Sequence, residues 1–199
     1  MKRLPILLLV LLTSYCLQAQ KPGRLKDCDL VFQLTENANA ITEATSHGSL
    51  PIDHVGIFCH HDGQPVVIEA TYCGVVITPL SVFMQSPERI IIGRVRGKID
   101  KPQTIANALR YVGRPYDFLF QEGDGEIYCS ELVQLCYVNR NGQQVFDTIG
   151  MSFHDADGKI LPYWEDYYSR RGMPLPEGKP GTNPSELSQR KNVKLLKKR

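Results

Sequence analysis

The segments His54-Val55-Gly56-Ile57-Phe58-Cys59 and Pro65-Val66-Val67-Ile68-Glu69-Ala70 constrain this chain more than any other feature, because His60-His61-Asp62-Gly63-Gln64 joins them. Both runs are rich in β-branched and apolar residues. An Asp-Gly pair between such runs is the signature of a tight hairpin whose central residues need positive φ. With Asp62 and Gly63 as the two turn residues, Gly56 faces Glu69 and His54 faces Thr71. Directly opposed side chains share a sheet face, so Glu69 and His54 lie on the same face as diagonal neighbours. A slip of one residue would place them on opposite faces. Glu69 is the only charge in its run, which makes it either a solvating edge charge or a buried functional carboxylate.

Around this hairpin the pattern is that of a small α+β domain. Leu30-Val31-Phe32, Val75-Val76-Ile77 and Arg89 to Arg96 read as further strands, giving a mainly antiparallel sheet of about five strands. Asn37 to Ser46 is a weak helix or loop, and Leu80 to Gln85 a short helical stretch. The second half changes to helical period. Ile105, Leu109 and Val112 share one face behind Pro102, and Gly113-Arg114-Pro115 stops that run. A second helix starts near Cys129, carries Leu132, Val133, Leu135 and Cys136 inward, and is expected to end around Asn139 to Gly142. A third spans Pro162 to Arg171, and its Tyr163, Trp164, Tyr167 and Tyr168 read as core, with a substrate wall as the alternative. Met173 to Pro184 is an extended wrap, and Val193 and Leu195 alternate with Lys194 as in a last strand.

Charge is unevenly spread over the 199 residues, whose formal net charge is +2. Lys2 and Arg3 precede the apolar run Leu4 to Leu12, which is too short to span a bilayer, and the layout through Ala19 is that of a secretory signal peptide. The expected organisation is a signal peptide over 1–19 and one domain over 20–199. The expected location is periplasmic or extracellular; lipid anchoring through Cys16 is disfavoured because bulky Tyr15 precedes it. Residues 190–199 hold six bases and no acid, so residues 20–189 carry 15 Lys+Arg against 21 Asp+Glu. An acidic body excludes a nucleic-acid-binding module, which needs clustered bases. No stable membrane insertion is expected once the signal peptide is cleaved.

Five cysteines remain after such cleavage: Cys28, Cys59, Cys73, Cys129 and Cys136. An odd number in an exported chain leaves at least one thiol unpaired, and pairing among Cys28, Cys59, Cys73 and Cys136 stays open. None has C-x-x-C spacing, so no metal cluster is expected. Asp155-Ala156-Asp157-Gly158-Lys159 resembles a calcium loop, but its Gly comes too early and no Glu closes it, so it reads as a turn. Arg94 and Arg96 share a strand face and read as solvated. Cys129 is the distinctive thiol. The loop Glu122-Gly123-Asp124-Gly125-Glu126 leads into Tyr128-Cys129-Ser130-Glu131-Leu132, where a helix begins. A thiol in a first helical turn feels the positive end of the dipole and free backbone N–H groups, which favour a thiolate and can hold an oxyanion. Of the five histidines, His60 and His61 flank the hairpin turn and His154 lies in an acidic loop. His54, at a strand start, has the fixed position a general base needs.

Asp29-Leu30-Val31-Phe32, His54-Val55-Gly56-Ile57, Val67-Ile68-Glu69-Ala70, Gly113-Arg114-Pro115-Tyr116 and Tyr128-Cys129-Ser130-Glu131-Leu132 occur in an order that resembles the YiiX-like, circularly permuted branch of the NlpC-type papain-like cysteine hydrolases. The match covers most of residues 27–139. The resemblance implies a permuted papain-like α+β fold, with Cys129 as nucleophile, His54 as base and Glu69 orienting the imidazole. It also implies Tyr116 at the substrate or oxyanion site, flanked by Tyr128 and Ser130. The ordinary family carries Asp and Gly where this chain has Tyr128 and Glu131, which removes the warrant for a cell-wall γ-glutamyl peptide substrate.

The function expected is hydrolysis of an amide or ester bond in a peptide or lipid-like small substrate through a thioester, with no metal or organic cofactor. Two alternatives share these residues: a thiol acyltransferase related to lecithin retinol acyltransferase, and a non-catalytic lipid- or peptide-binding module.

Overall fold

The computed structural model describes residues 25–86 and 88–196. The signal-peptide reading of residues 1–19, Cys16 included, lies outside them. The first half comprises β1 (Asp29–Leu34), α1 (Ala40–Thr45), β2 (Ile52–His61), β3 (Gln64–Thr71), β4 (Gly74–Pro79), α2 (Leu80–Phe83) and β5 (Arg89–Val95). The second comprises α3 (Lys101–Tyr111), α4 (Cys129–Cys136), β6 (Ile149–Gly150), α5 (Pro162–Ser169), β7 (Pro180–Gly181), α6 (Pro184–Gln189) and β8 (Val193–Leu196). Six strands form one sheet in the order β4-β3-β2-β1-β5-β8, antiparallel throughout.

The β2–β3 hairpin has the register its turn dictates. Asp62 and Gly63 take φ of 50° and 74°, His61 pairs with Gln64, and Gly56 faces Glu69. Two-residue alternation then sorts the sheet's side chains. Leu30, Phe32, Val55, Ile57 and Ile68 pack with Leu132, Val133 and Cys136 of α4. Val31, Phe58 and Val67 pack instead with Leu80 and Phe83 of α2. Burying each such side chain contributes about 1.5–3 kcal/mol, so the double-sided sheet is the main source of stability. A third cluster of Ala44, Met151, Phe153, Trp164 and Tyr168 ties α1 and α5 to the loop between them.

Several local expectations need correction. Helix α4 stops at Cys136 rather than near Asn139, because Tyr137 is extended (φ −77°, ψ 115°) and Val138 and Asn139 bridge to Gln144 and Ile99. The Tyr137 hydroxyl, fully buried, donates to the Cys28 carbonyl at 3.0 Å and fixes that exit. The wrap from Met173 ends in α6, whose cap the sequence does carry: Asn183 accepts the Glu186 N–H and Pro184 opens the first turn. Arg94 is not simply solvated. Its Nε and Nη2 donate to both oxygens of Asp29, at 2.9 and 2.7 Å, and Asp29 is only 2% exposed. The last strand is present, with Val193 opposite Val95. No helix among the described residues is long and apolar enough to cross a membrane.

One close backbone approach carries the loop after α3 to the sheet edge. Gly74 has φ of +96°, Val75 N–H donates to the Arg114 carbonyl at 2.8 Å, and Gly113 N–H donates back to Val75. A Cβ at Gly74 would stand 2.4 Å from the Arg114 oxygen. Gly74→Ala is therefore expected to lower stability by about 1–3 kcal/mol in urea unfolding, combining left-handed strain with a backbone clash.

Candidate active site

The hairpin register brings two titratable groups together. His54 Nε2 lies 2.5 Å from Glu69 Oε2, and Glu69 is 5% exposed, so its carboxylate is the buried member of the two readings the sequence allowed. With Nε2 committed to Glu69, Nδ1 is the nitrogen left for a second partner. Cys129 stands close enough to the imidazole to favour its protonated form. The thiol also lies 3.9 Å from the carbonyl oxygen of Asp53, the residue before His54. The Phe83 ring stands 6.3 Å from the imidazole and limits its tilt.

Burial alone would push the His54 pKa down, but hydrogen bonds to Cys129 and Glu69, and the charge of both, outweigh it and push the imidazole up to about 10. Both neighbours therefore favour the protonated imidazole. The other buried thiols are different. Burial pushes Cys28 up to about 12 and Cys59 up to about 11, and raises Cys136 further still. Among the described residues all five cysteines are free thiols, with Cys73 exposed.

Cys129 is the first residue of α4, where backbone N–H groups have no intrahelical acceptor. The Tyr128 N–H, one residue earlier, is taken by the Glu131 carboxylate at 3.3 Å. Burial raises the Glu131 pKa to about 8, partly countered by that N–H. Tyr116 lines the site with Cys129, and its hydroxyl is kept protonated by burial and by the nearby charge of Cys129. The anchored Gly113–Pro115 turn sets its position, and Ile127 N–H donates to the Pro115 carbonyl at 3.0 Å to close the loop.

Of the residues the sequence singled out, the structure gathers Cys129, His54, Glu69 and Tyr116. Tyr128 and Ser130 line the same cavity as Cys129 and also bind the C-terminal wrap: the Tyr128 hydroxyl accepts from Thr182 N–H at 3.0 Å, and Ser130 Oγ accepts from the Thr182 hydroxyl at 3.0 Å. Thr182 has no signal of its own in the sequence. Asp53 lines the site and its carboxylate accepts from Asn39 at 2.8 Å. The aromatic run of α5 splits: Trp164 and Tyr168 are core, while Tyr163 is exposed and lines a cleft.

Two compartments flank the pair. A narrow cavity of about 60 Å³ lies on the Cys129 side, walled mainly by apolar groups such as Ile41, Met151, Phe153 and Trp164. An open cleft of about 690 Å³ lies on the His54 and Glu69 side. Apart from these, Asp117, Asp124 and Glu126 place ligand oxygens within 4.8 Å of one another. Asp117 already accepts the Leu119 and Gln121 N–H groups, at 2.6 and 2.5 Å, so its carboxylate shapes the loop. The Asp155 carboxylate likewise accepts the Asp157 and Lys159 N–H groups, as in an ordinary turn.

A cysteine at a helix start, beside a histidine on an earlier strand, defines a papain-like hydrolase read in permuted chain order. The chain belongs to the C92 peptidase family of permuted papain-like amidases, the YaeF/YiiX group, whose model matches residues 24–197. It is 33% identical over 147 residues to the uncharacterised protein YiiX of Escherichia coli (strain K12), covering 70% of this chain and 69% of that protein. The crystal structure of YiiX from Escherichia coli O157:H7, described as a metalloprotein, superimposes with a TM-score of 0.69 at 23% identity, over 87% of this chain and 97% of that one. That likeness establishes the shared fold.

The raised imidazole has a consequence for stability. A histidine whose folded pKa exceeds its unfolded value stabilises fully below the unfolded value, about 6.5, and loses that contribution as pH rises through the folded value, about 10. Glu69→Gln should therefore be less stable than the wild type by about 1–3 kcal/mol at pH 6, the range of a charged hydrogen bond. The gap should narrow steadily between pH 6.5 and 10 when both proteins are unfolded in urea; a gap independent of pH would rule out a protonated pair.

Proposed function

We propose that this protein is an exported cysteine hydrolase that cleaves an amide or ester bond through a Cys129-His54-Glu69 triad. The observation that supports it most is the short His54 Nε2–Glu69 contact, with the Cys129 sulfur 3.9 Å from the carbonyl of Asp53, the residue before His54. A cation beside a thiol favours the thiolate, which is the nucleophilic form.

In the first half-reaction Cys129 Sγ attacks the substrate carbonyl and a C–S bond forms. The oxyanion is received by the Cys129 N–H at the start of α4 and by the Tyr116 hydroxyl, which stays a donor at neutral pH. When the intermediate collapses, the C–N or C–O bond breaks and the leaving group takes the proton held on His54 Nδ1. A water then enters, gives a proton to the now neutral imidazole and displaces the thiol from the thioester. Glu69 keeps the Nε2 proton in place through both steps, which preserves the ring's orientation. Tyr128 and Ser130 act at one remove, by holding Thr182 against the nucleophile helix.

Export rests on the Lys2-Arg3 and Leu4 to Leu12 layout of the first 19 residues. The proposed substrate is a small peptide or lipid-like acyl compound, taken up without nucleic acid or membrane insertion.

Thiol chemistry tests the triad directly. In a Cys73→Ser background, iodoacetamide at pH 7 should label Cys129 ahead of Cys28, Cys59 and Cys136, and His54→Ala should slow that labelling by at least about tenfold. Peptide mass spectrometry reads both. Equal labelling in the two proteins would remove the proposed activation of the thiol. Cys129→Ala should abolish hydrolysis, and Glu69→Gln should lower kcat by about 10²-fold or more, in keeping with the weight of an orienting group in other triads.

A further inference from the structure

We propose that the two compartments sort the two halves of the substrate: a short apolar acyl group in the narrow cavity beside Cys129, and an amine or alcohol with an apolar or aromatic body in the open cleft beside His54. This rests on the hydrolase reading above and narrows it to a substrate class. Cys129 lines the first compartment and His54 the second, and the two share Ile41, Tyr116, Phe120 and Trp164 as a dividing wall. The acyl carbon becomes bonded to Sγ, so the group it carries must occupy the space that Sγ faces. The leaving group must take its proton from His54, so it departs through the space His54 faces. When the C–S bond forms and the C–O or C–N bond breaks, the substrate therefore straddles the wall; water later adds at the thioester carbon, releasing the acid and the thiol.

The chemistry of each space supports the assignment. A cavity of about 60 Å³ has room for only about four to six water-sized groups. Its walls, with Ala44, Met151, Phe153 and Trp164, are mostly apolar, and its one carboxylate, Asp53, is held by Asn39. That suits a short aliphatic acyl group better than a long fatty chain or an anionic acyl group. The far wall is braced, because Thr182 is pinned to Tyr128 and Ser130, and Gly181 packs closely on Met151. Phe120 is held in a left-handed conformation, φ 54°, between two amides that Asp117 captures, a local strain that keeps its ring in the dividing wall. The open cleft presents aromatic surface to solvent. Tyr72 is 83% and Tyr163 54% exposed, and Tyr163 stacks on Tyr167 with centroids 5.9 Å apart. Rings set at such a cleft suit a flat or apolar body on the leaving group.

A chain-length series tests the sorting. With p-nitrophenyl esters from acetyl to decanoyl, kcat/KM should peak at or below about six carbons and fall at least about tenfold by decanoyl, as methylenes outgrow the cavity. Met151→Ala should raise the decanoyl-to-butyryl ratio by at least about tenfold, and Ala44→Val should lower the butyryl-to-acetyl ratio. Tyr163→Ala should raise KM for 2-naphthyl butyrate more than for methyl butyrate. A wild-type profile that is flat or peaks at decanoyl, ratios unmoved by both cavity variants, or a Tyr163 effect equal on the two butyrates overturns the sorting while leaving the hydrolase reading intact. Ester turnover that persists in Cys129→Ala, or no acylation of Cys129 by any ester, overturns the hydrolase reading itself.

Discussion

The hydrogen bond between His54 and Glu69 is the interaction on which the rest of the site depends, and it exists because one two-residue turn sets the register of one hairpin. Asp62 and Gly63 at positive φ pair His61 with Gln64, and the ladder then delivers Glu69 opposite Gly56 and within reach of His54. Gly56 is part of the same device. A Cβ there would lie 2.3 Å from Val67 Cγ1 and 3.3 Å from the Glu69 Cβ, so the bare backbone leaves Glu69 its place. Every other component is positioned relative to this pair: α4 packs on the adjoining core and brings Cys129 to the imidazole.

The remaining walls are held by backbone rather than by side chains of obvious function. Gly74 lets the Gly113–Pro115 turn pair with β4, which sets Tyr116 beside the thiol. At the opposite end of the chain, Thr182 bonds Tyr128 and Ser130, and Ser185 of α6 donates to the Ile52 carbonyl at the start of β2. The C-terminal wrap thereby braces both the helix that bears Cys129 and the strand that bears His54. The chain order, with the His54 strand first and the Cys129 helix later, fits the permuted papain-like fold of the C92 family.

Much of this was legible in the sequence where a local rule acted alone. The Asp-Gly turn predicted the register, the apolar alternation predicted the strands, and Tyr128-Cys129-Ser130 marked a helix start. The illegible parts are those decided by contacts distant in the chain. Tyr137 ends α4 early because its hydroxyl finds the Cys28 carbonyl 109 residues away. Arg94 binds Asp29 because β1 and β5 pair and set the two residues side by side. Thr182 gains its role only when the wrap closes over Tyr128, and no spacing in the sequence announces that contact. Helix α6 is the exception, since Asn183-Pro184-Ser185-Glu186 is a readable cap within a segment otherwise dominated by Pro and Gly.

The site depends on an imidazole that Glu69 and the neighbouring Cys129 keep protonated. Following the His54 ring signals by ¹⁵N NMR as pH is raised measures this directly. Both ring nitrogens should stay protonated through neutral pH, with a midpoint near 10 that falls in Cys129→Ala and in Glu69→Gln. A midpoint near the ordinary value of about 6.5 in the wild type, unchanged in either variant, would contradict it.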